Sequence, residues 1–148
     1  MNIFRGGYIM NDPNCAYCGN DDTLAKFGIF ICELPASKIY LFKEQSHLGR
    51  CIAAYKNHIG DINELSDAEL SAYYQDIAKL SRALKQIFHP DKINYGAYGD
   101  TAKHFHTHLV PKYKDEFEWG DVFAMNPDRI YFETTRYQEL IKNIKAAL

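Results

Sequence analysis

Three histidines stand at alternate positions in the stretch KHFHTHLVPKY, residues 103–113: His104, His106 and His108. Along an extended strand successive side chains face opposite ways. This spacing therefore sends all three imidazoles to one side and Phe105, Thr107 and Leu109 to the other. Crowded imidazoles disfavour one another's protonation, so the cluster supplies neutral rings, the form that attacks, accepts a hydrogen bond or ligates a metal. A polar, solvated edge strand would show the same spacing without any chemistry. The residues flanking the cluster favour a site.

A second set of reactive groups lies far upstream, in Cys15-Ala16-Tyr17-Cys18-Gly19. A C-x-x-C spacing lets two thiolates converge on one metal, and Gly19 permits the tight turn this needs. A redox pair with the same spacing would sit at a helix N-terminus after a strand. Here Gly19-Asn20-Asp21-Asp22 reads as a continuing turn, which favours metal over redox chemistry. Cys32 and Cys51 fall inside apolar runs and read as core.

The bulk properties set the frame. A chain of 148 residues is the size of one ordinary domain, expected over residues 15–148 behind a flexible lead-in at 1–14, with Met1 or Met10 as the start. Lys plus Arg (17) nearly balances Asp plus Glu (19), so no basic field argues for a nucleic-acid polymer, and a small phosphorylated ligand needs only a local site. No apolar run approaches a membrane span and no secretory signal pattern opens the chain, so no membrane partner and a cytoplasmic, reducing location are expected.

Several elements must position these groups. Gly28–Leu34 and Lys38–Lys43 are β-rich runs joined by Pro35-Ala36-Ser37, and a third follows at Arg50–Tyr55. Ser66-Asp67-Ala68-Glu69 is a capping box opening a helix whose apolar residues, Leu70, Tyr73, Tyr74, Ile77, Leu80, Leu84, Ile87 and Phe88, recur at three- and four-residue intervals until His89-Pro90. Ile93–Ala97 reads as a fourth strand and the histidine run as a fifth. The loop from Lys112 to Pro127 carries Phe117, Trp119 and Phe123, which either line a pocket or dock the loop on the core. Thr135-Arg136-Tyr137-Gln138 reads as the cap of a last helix, with Tyr137, Leu140, Ile141, Ile144 and Leu148 as its stripe. Short links predict antiparallel pairing and an α+β fold, one sheet with helices packed against it.

The run His104-Phe105-His106-Thr107-His108-Leu109-Val110 resembles the H-φ-H-φ-H-φ-φ signature of the histidine triad (HIT) superfamily of nucleotide hydrolases and nucleotidyl transferases. Thr107 stands where that family usually has an apolar residue. Asn94 and Gly99-Asp100-Thr101 occupy places of phosphate-contacting residues, and the resemblance runs from about Cys15 to Trp119. It implies a HIT-like fold, a five-stranded antiparallel sheet with one long helix and a C-terminal helix, and a homodimer. It also implies that His106 is a nucleophile toward an α-phosphorus, held by a bond to a carbonyl near His108, with His108 and His104 completing the catalytic set.

Asn94 and Thr101 would then donate to phosphate oxygens and Asp100 would stand beside the leaving group. Trp119 would wall the leaving group, and Glu44 is nearest to the ribose-ligand position. Zinc-bearing members of the family pair an N-terminal C-x-x-C with a histidine after the third strand and with the first triad histidine. That implies a structural zinc on Cys15, Cys18, His58 and His104, with His47 and His89 as rival ligands. Two alternatives keep the same residues: a zinc-stabilised nucleotide-binding module without turnover, and a metallohydrolase with the three histidines around a zinc-bound water.

Overall fold

The computed structural model describes residues 12–148. The expectations for the start and for most of the lead-in fall on residues 1–11, outside that range. Asp12 to Asn14 form a turn, in which Asp12 takes bonds from the Asn14 and Cys15 amides.

Five strands form one antiparallel sheet: β1 (Gly28–Glu33), β2 (Ser37–Phe42), β3 (Cys51–Tyr55), β4 (Lys92–Gly96) and β5 (His106–Lys112). Their spatial order is β1-β2-β3-β5-β4, so β5 is threaded between β3 and the edge strand β4. With a long helix and a C-terminal helix on the sheet, this is the expected α+β, HIT-like fold. The register places Ala54 opposite His106 and Ile52 opposite His108, and Gly96 flanks His108 from the other side.

The long helix α2 (Asp67–Phe88) starts where its sequence says it should. Ser66 accepts from the Glu69 amide, Glu69 reaches back to Ser66, and the helix ends at His89 in the left-handed conformation just before Pro90. Its stripe of Tyr73, Ile77, Leu80 and Leu84 is buried against the sheet, joined by Leu140 and Ile144 of α3 (Thr134–Ala147). Tyr74 does not belong to that stripe: it is 48% exposed, since a helix turns its next residue about 100° away from a buried one.

Other expectations are corrected. The helix α3 begins at Thr134 with Glu133 as an N-cap that makes no side-chain bond, so the capping box read at Thr135 does not form. The turn after Gly19 closes into a short helix, α1 (Asp21–Leu24), because the Asn20 side chain caps the Thr23 amide. The strand β5 begins at His106, and His104 sits in a bend ahead of it. The backbone there still bonds across to the β3 side, Phe105 donating to Ile59 and accepting from Tyr55, so the imidazoles keep their common face.

The sheet is covered on both faces. One carries the helices; the other carries a smaller cluster of Tyr17, Tyr40, Phe42, Ile52 and Ala54. His106 and His108 share the second face, while Phe105 and Leu109 join the helix-side core together with Cys51. Cys32 packs half-buried against that core, as read from the sequence.

Thr107 also points to the helix side, where the Tyr73 hydroxyl lies 2.8 Å from both the Thr107 hydroxyl and the Ala53 carbonyl. A phenol has one proton, which the carbonyl must take, so Thr107 donates back to Tyr73. A polar residue is tolerated in this apolar slot because α2 brings it a partner. Replacing Tyr73 with Phe should cost about 1–3 kcal/mol, since it orphans a buried hydroxyl. In a double-mutant cycle by urea denaturation, Tyr73→Phe with Thr107→Val should cost less than the two single changes summed. Strict additivity would show that the pair is not coupled.

Candidate active site and metal centre

The Cys15–Cys18 turn is a single 3-10 turn, closed by the Cys18 and Asn20 amides donating to the Cys15 carbonyl at 3.1 Å. Gly19, at φ 131°, lets the chain leave it. The turn brings both thiols to His58, which follows β3, and to His104. Cys15 Sγ lies 3.5 Å from His104 Nδ1, Cys18 Sγ lies 3.4 Å from the same nitrogen, and Cys18 Sγ is 3.2 Å from His58 Nδ1. All four donor atoms fall within 4.8 Å of one another. Donors about 2.0–2.3 Å from a common tetrahedral centre stand about 3.3–3.8 Å apart, so the observed spacing fits one ion with S₂N₂ ligation.

Protonation fits as well. His104 Nε2 donates to the Tyr55 carbonyl at 2.6 Å, which leaves the Nδ1 lone pair facing the sulfurs. Burial pushes the Cys15 thiol up to about 11, the behaviour of an inert thiol rather than of a redox nucleophile. The rival ligands lie elsewhere: His89 caps α2, and His47 stacks on Phe117 with its Nε2 3.5 Å from Glu118 Oε1.

His104 also serves the next residue of the cluster. Its carbonyl accepts from His106 Nδ1 at 2.6 Å. The bond expected near His108 is therefore made at His104, because the bend before β5 turns that carbonyl toward the ring two residues on. With its Nδ1 proton engaged, His106 keeps its lone pair on Nε2. The Tyr17 ring, carried by the C-x-x-C turn, lies 5.1 Å from His106 and 5.3 Å from His104.

His108 is engaged differently. Its Nδ1 lies 3.2 Å from an Arg50 guanidinium nitrogen. The three imidazoles thus have three different partners, and the only cluster of metal-binding side chains among the described residues is the one with the two thiols. A zinc shared by the three histidines is set aside on that geometry.

His106 and His108 line one end of a cleft of about 260 Å³. Tyr17, Phe27, Phe42 and Ile52 give it an apolar wall; Gly99, Asp100 and Thr101 stand beside the histidines. Met125, Asn126 and Tyr131 close the side formed by the long loop and the segment after it, and Lys26, Lys43 and Glu44 complete the lining. The Glu44 carboxylate is buried. Its Oε1 takes bonds from the Ser46 and Ile130 amides, and its Oε2 has no hydrogen-bond partner.

Two residues read from the sequence as substrate-binding lie outside the cleft lining. The β4–β5 register sets Asn94 opposite Val110, two pairs past Gly96 and His108. Trp119 is 42% exposed on the loop. Phe117 and Phe123 instead dock the loop, the one stacked on His47 and the other over the Arg50 guanidinium. The loop reaches the cleft through Met125 and Asn126.

Residues 50–115 match the family model for the HIT domain. By fold and by motif the chain is similar to histidine triad proteins, with a Cys–Cys–His–His cluster beside the triad. It is similar to the protein Hit of Bacillus subtilis strain 168, with 24% identity over 131 residues, 78% of this chain and 82% of that one.

Among solved structures it resembles a histidine triad protein of Sinorhizobium meliloti at a TM-score of 0.79, with 19% identity covering 86% of this chain and 95% of that one. A histidine triad protein of Bradyrhizobium japonicum follows at 0.77, with 22% identity over 84% and 93%. A zinc-bound histidine triad family protein of Mycobacterium smegmatis matches at 0.64, with 20% identity over 90% and 92%.

Burial holds all three triad rings neutral. His106 is lowered by burial, against its bond to the His104 carbonyl; His104 is lowered by burial to about 4; His108 is lowered to about 2 by burial and then by the Arg50 charge. An unfolded histidine takes its proton near pH 6.5, so below that value the unfolded chain binds more protons and stability rises with pH. The contribution is complete above about pH 6.5 and is lost as the pH falls through and below it. For His108 the loss at pH 5 comes to about 2 kcal/mol, at about 1.4 kcal/mol per pH unit. The melting temperature should drop between pH 7 and pH 5, and drop less in His108→Gln. Equal slopes for the two proteins would contradict a buried neutral His108.

Proposed function

We propose that the chain is a nucleotide hydrolase that transfers a nucleotidyl group to His106 and then to water. The observation that carries this reading is the bond from His106 Nδ1 to the His104 carbonyl, which fixes the ring and leaves Nε2 as a lone pair at the end of the cleft. A nucleophile aimed at phosphorus has to be neutral and held against rotation, and His106 is both.

In the proposed reaction the Nε2 lone pair attacks the α-phosphorus, a P–N bond forms, and the bond to the leaving group breaks with the electron pair going to that group. Water then attacks the nucleotidyl-histidine, the P–N pair returns to His106, and a nucleoside monophosphate leaves with the second proton of the water passing to solvent. His108 and Thr101, both at the cleft, donate to the equatorial oxygens as charge spreads over them. Asp100, exposed at the mouth, stands where it can orient the leaving group.

The wall of Tyr17, Phe27, Phe42 and Ile52 suits the flat face of a base, and the unpartnered Glu44 Oε2 suits the hydroxyls of a ribose. Dinucleoside polyphosphates, nucleoside phosphoramidates and related nucleotides with a substituted α-phosphate share the features this site addresses. As in the family, two copies of the chain are proposed to pair.

Cys15, Cys18, His58 and His104 would hold a structural zinc, whose filled sphere leaves no position for a catalytic water. Bound there, it would supply rigidity to His104 and, through that residue's carbonyl, to His106. Metal analysis of protein purified without added zinc should find about one equivalent per chain, and Cys15→Ser should lose both the metal and thermal stability. A metal-free protein with unchanged melting on chelation would refute this part of the reading.

The nucleophile is tested separately. His106→Asn should lower hydrolysis by several orders of magnitude while nucleotide affinity changes little, since the substitution removes a pathway. Retention of more than about a tenth of the rate, a barrier change of about 1.4 kcal/mol or less, would exclude the covalent route. Binding without turnover on every nucleotide tried would leave a nucleotide-binding module.

A further inference from the structure

Arg50 immediately precedes β3 and has no exposed surface. Its guanidinium carbon lies 4.0 Å from the centre of the Phe42 ring and 5.0 Å from that of Phe123. One terminal nitrogen donates to the Ala124 carbonyl at 3.0 Å; the other donates to the Met125 carbonyl at 2.9 Å and faces His108 Nδ1 at 3.2 Å. A guanidinium has donors and no acceptor, so the imidazole must accept at Nδ1 and carry its one proton on Nε2.

We propose that Arg50 is a positioning residue that holds His108 as a neutral Nε2–H donor at the cleft, and that the site therefore acts on α-phosphates whose leaving group departs as a stable anion. The substrates are then phosphoanhydrides and acyl-nucleotide anhydrides in preference to phosphoramidates. This rests on the hydrolase reading above and narrows it.

The preference follows from the proton count. When His106 Nε2 attacks, the leaving group takes the electron pair of the broken bond. A phosphate or carboxylate carries that pair as an anion and needs no proton, so the His108 Nε2–H can stay on the phosphoryl oxygens. An amine must gain a proton as its P–N bond breaks. His108 has none to spare: its Nδ1 is occupied by Arg50, and giving up the Nε2 proton would leave an imidazolate. Burial and the Arg50 charge both oppose a second proton on His108. Arg50 keeps its own, burial lowering it only to about 10. The same guanidinium ties down the carbonyls of Ala124 and Met125, so the donor and the wall formed by Met125 and Asn126 are set by one residue.

Two measurements test this on the full chain. The first is the imidazole nitrogen spectrum of ¹⁵N-labelled wild-type protein, with His108 assigned by the signals lost in His108→Gln. The neutral Nε2–H form should persist from about pH 5 to 8; an Nδ1–H tautomer or a protonated ring in that range overturns the role of Arg50. The second compares kcat/KM for a dinucleoside polyphosphate, an acyl adenylate and an adenosine phosphoramidate. The two anhydrides should exceed the phosphoramidate by about a hundredfold or more, the usual scale of general-acid assistance.

Arg50→Gln should narrow that ratio by about tenfold or more by freeing Nδ1 for protonation, whereas equal losses on all three substrates would make Arg50 a packing residue and overturn the proposal. If wild-type protein turns over the phosphoramidate as fast as the anhydrides, the leaving-group preference falls while the hydrolase reading stands. Turnover of none of the three ends both, and the wild-type spectrum decides the role of Arg50 even if Arg50→Gln does not fold.

Discussion

Two hydrogen bonds of 2.6 Å meet at His104, and the site hangs from them. The imidazole donates to the Tyr55 carbonyl, and the backbone carbonyl accepts from His106. The first bond selects which nitrogen of His104 faces the two thiols. The second selects which nitrogen of His106 faces the cleft. One residue in a bend thus fixes the tautomers of two rings, and it can do so only because burial makes a misplaced proton or an unpaired carbonyl costly. The C-x-x-C turn closes the arrangement from the other side by laying Tyr17 against both rings.

Much of this was legible in the sequence, for identifiable reasons. Alternation at His104, His106 and His108 fixed the common face, and the capping box at Ser66 with its apolar period fixed α2; both are local signals with a geometric meaning. The two thiols were reachable because metal sites restrict residue type and spacing, while His58 and His104 were reachable as their partners only through the family resemblance. What was not legible came from long-range contacts. Nothing local distinguishes the Thr135 box from one that forms, because the chain entering α3 is placed by the sheet. Asn94 missed the cleft by the register of β4 against β5, which no residue near Asn94 encodes. Trp119 carried the expectation for a loop whose docking is done by Phe117 and Phe123.

Arg50 is the instructive omission. It read as the first residue of a strand, where a charge is ordinarily solvated. A signal was nevertheless present: a lone arginine immediately before a strand that reads Cys-Ile-Ala-Ala-Tyr, all buried. An arginine at the head of such a run has few routes to water, and a buried guanidinium must find acceptors. Here they come from a loop more than seventy residues later in the chain and from the third histidine. The turn before it is equally restricted. Gly49 has φ 89°, and a side chain there would meet the Phe88 ring at 2.6 Å, so the approach to Arg50 is as constrained as its destination.

The separation of the metal-binding residues along the chain has a consequence for synthesis. Cys15 and His104 are 89 positions apart. At about 5–20 residues per second, a ribosome needs on the order of ten seconds to make that interval. For the first part of that time the emerging chain presents two thiols and neither imidazole, and from His58 until His104 is made it presents only one of the two. The pair is therefore most open to oxidation, or to capture by a thiol-seeking ion, while the protein is being made, and it is shielded once β5 slides into the middle of the sheet.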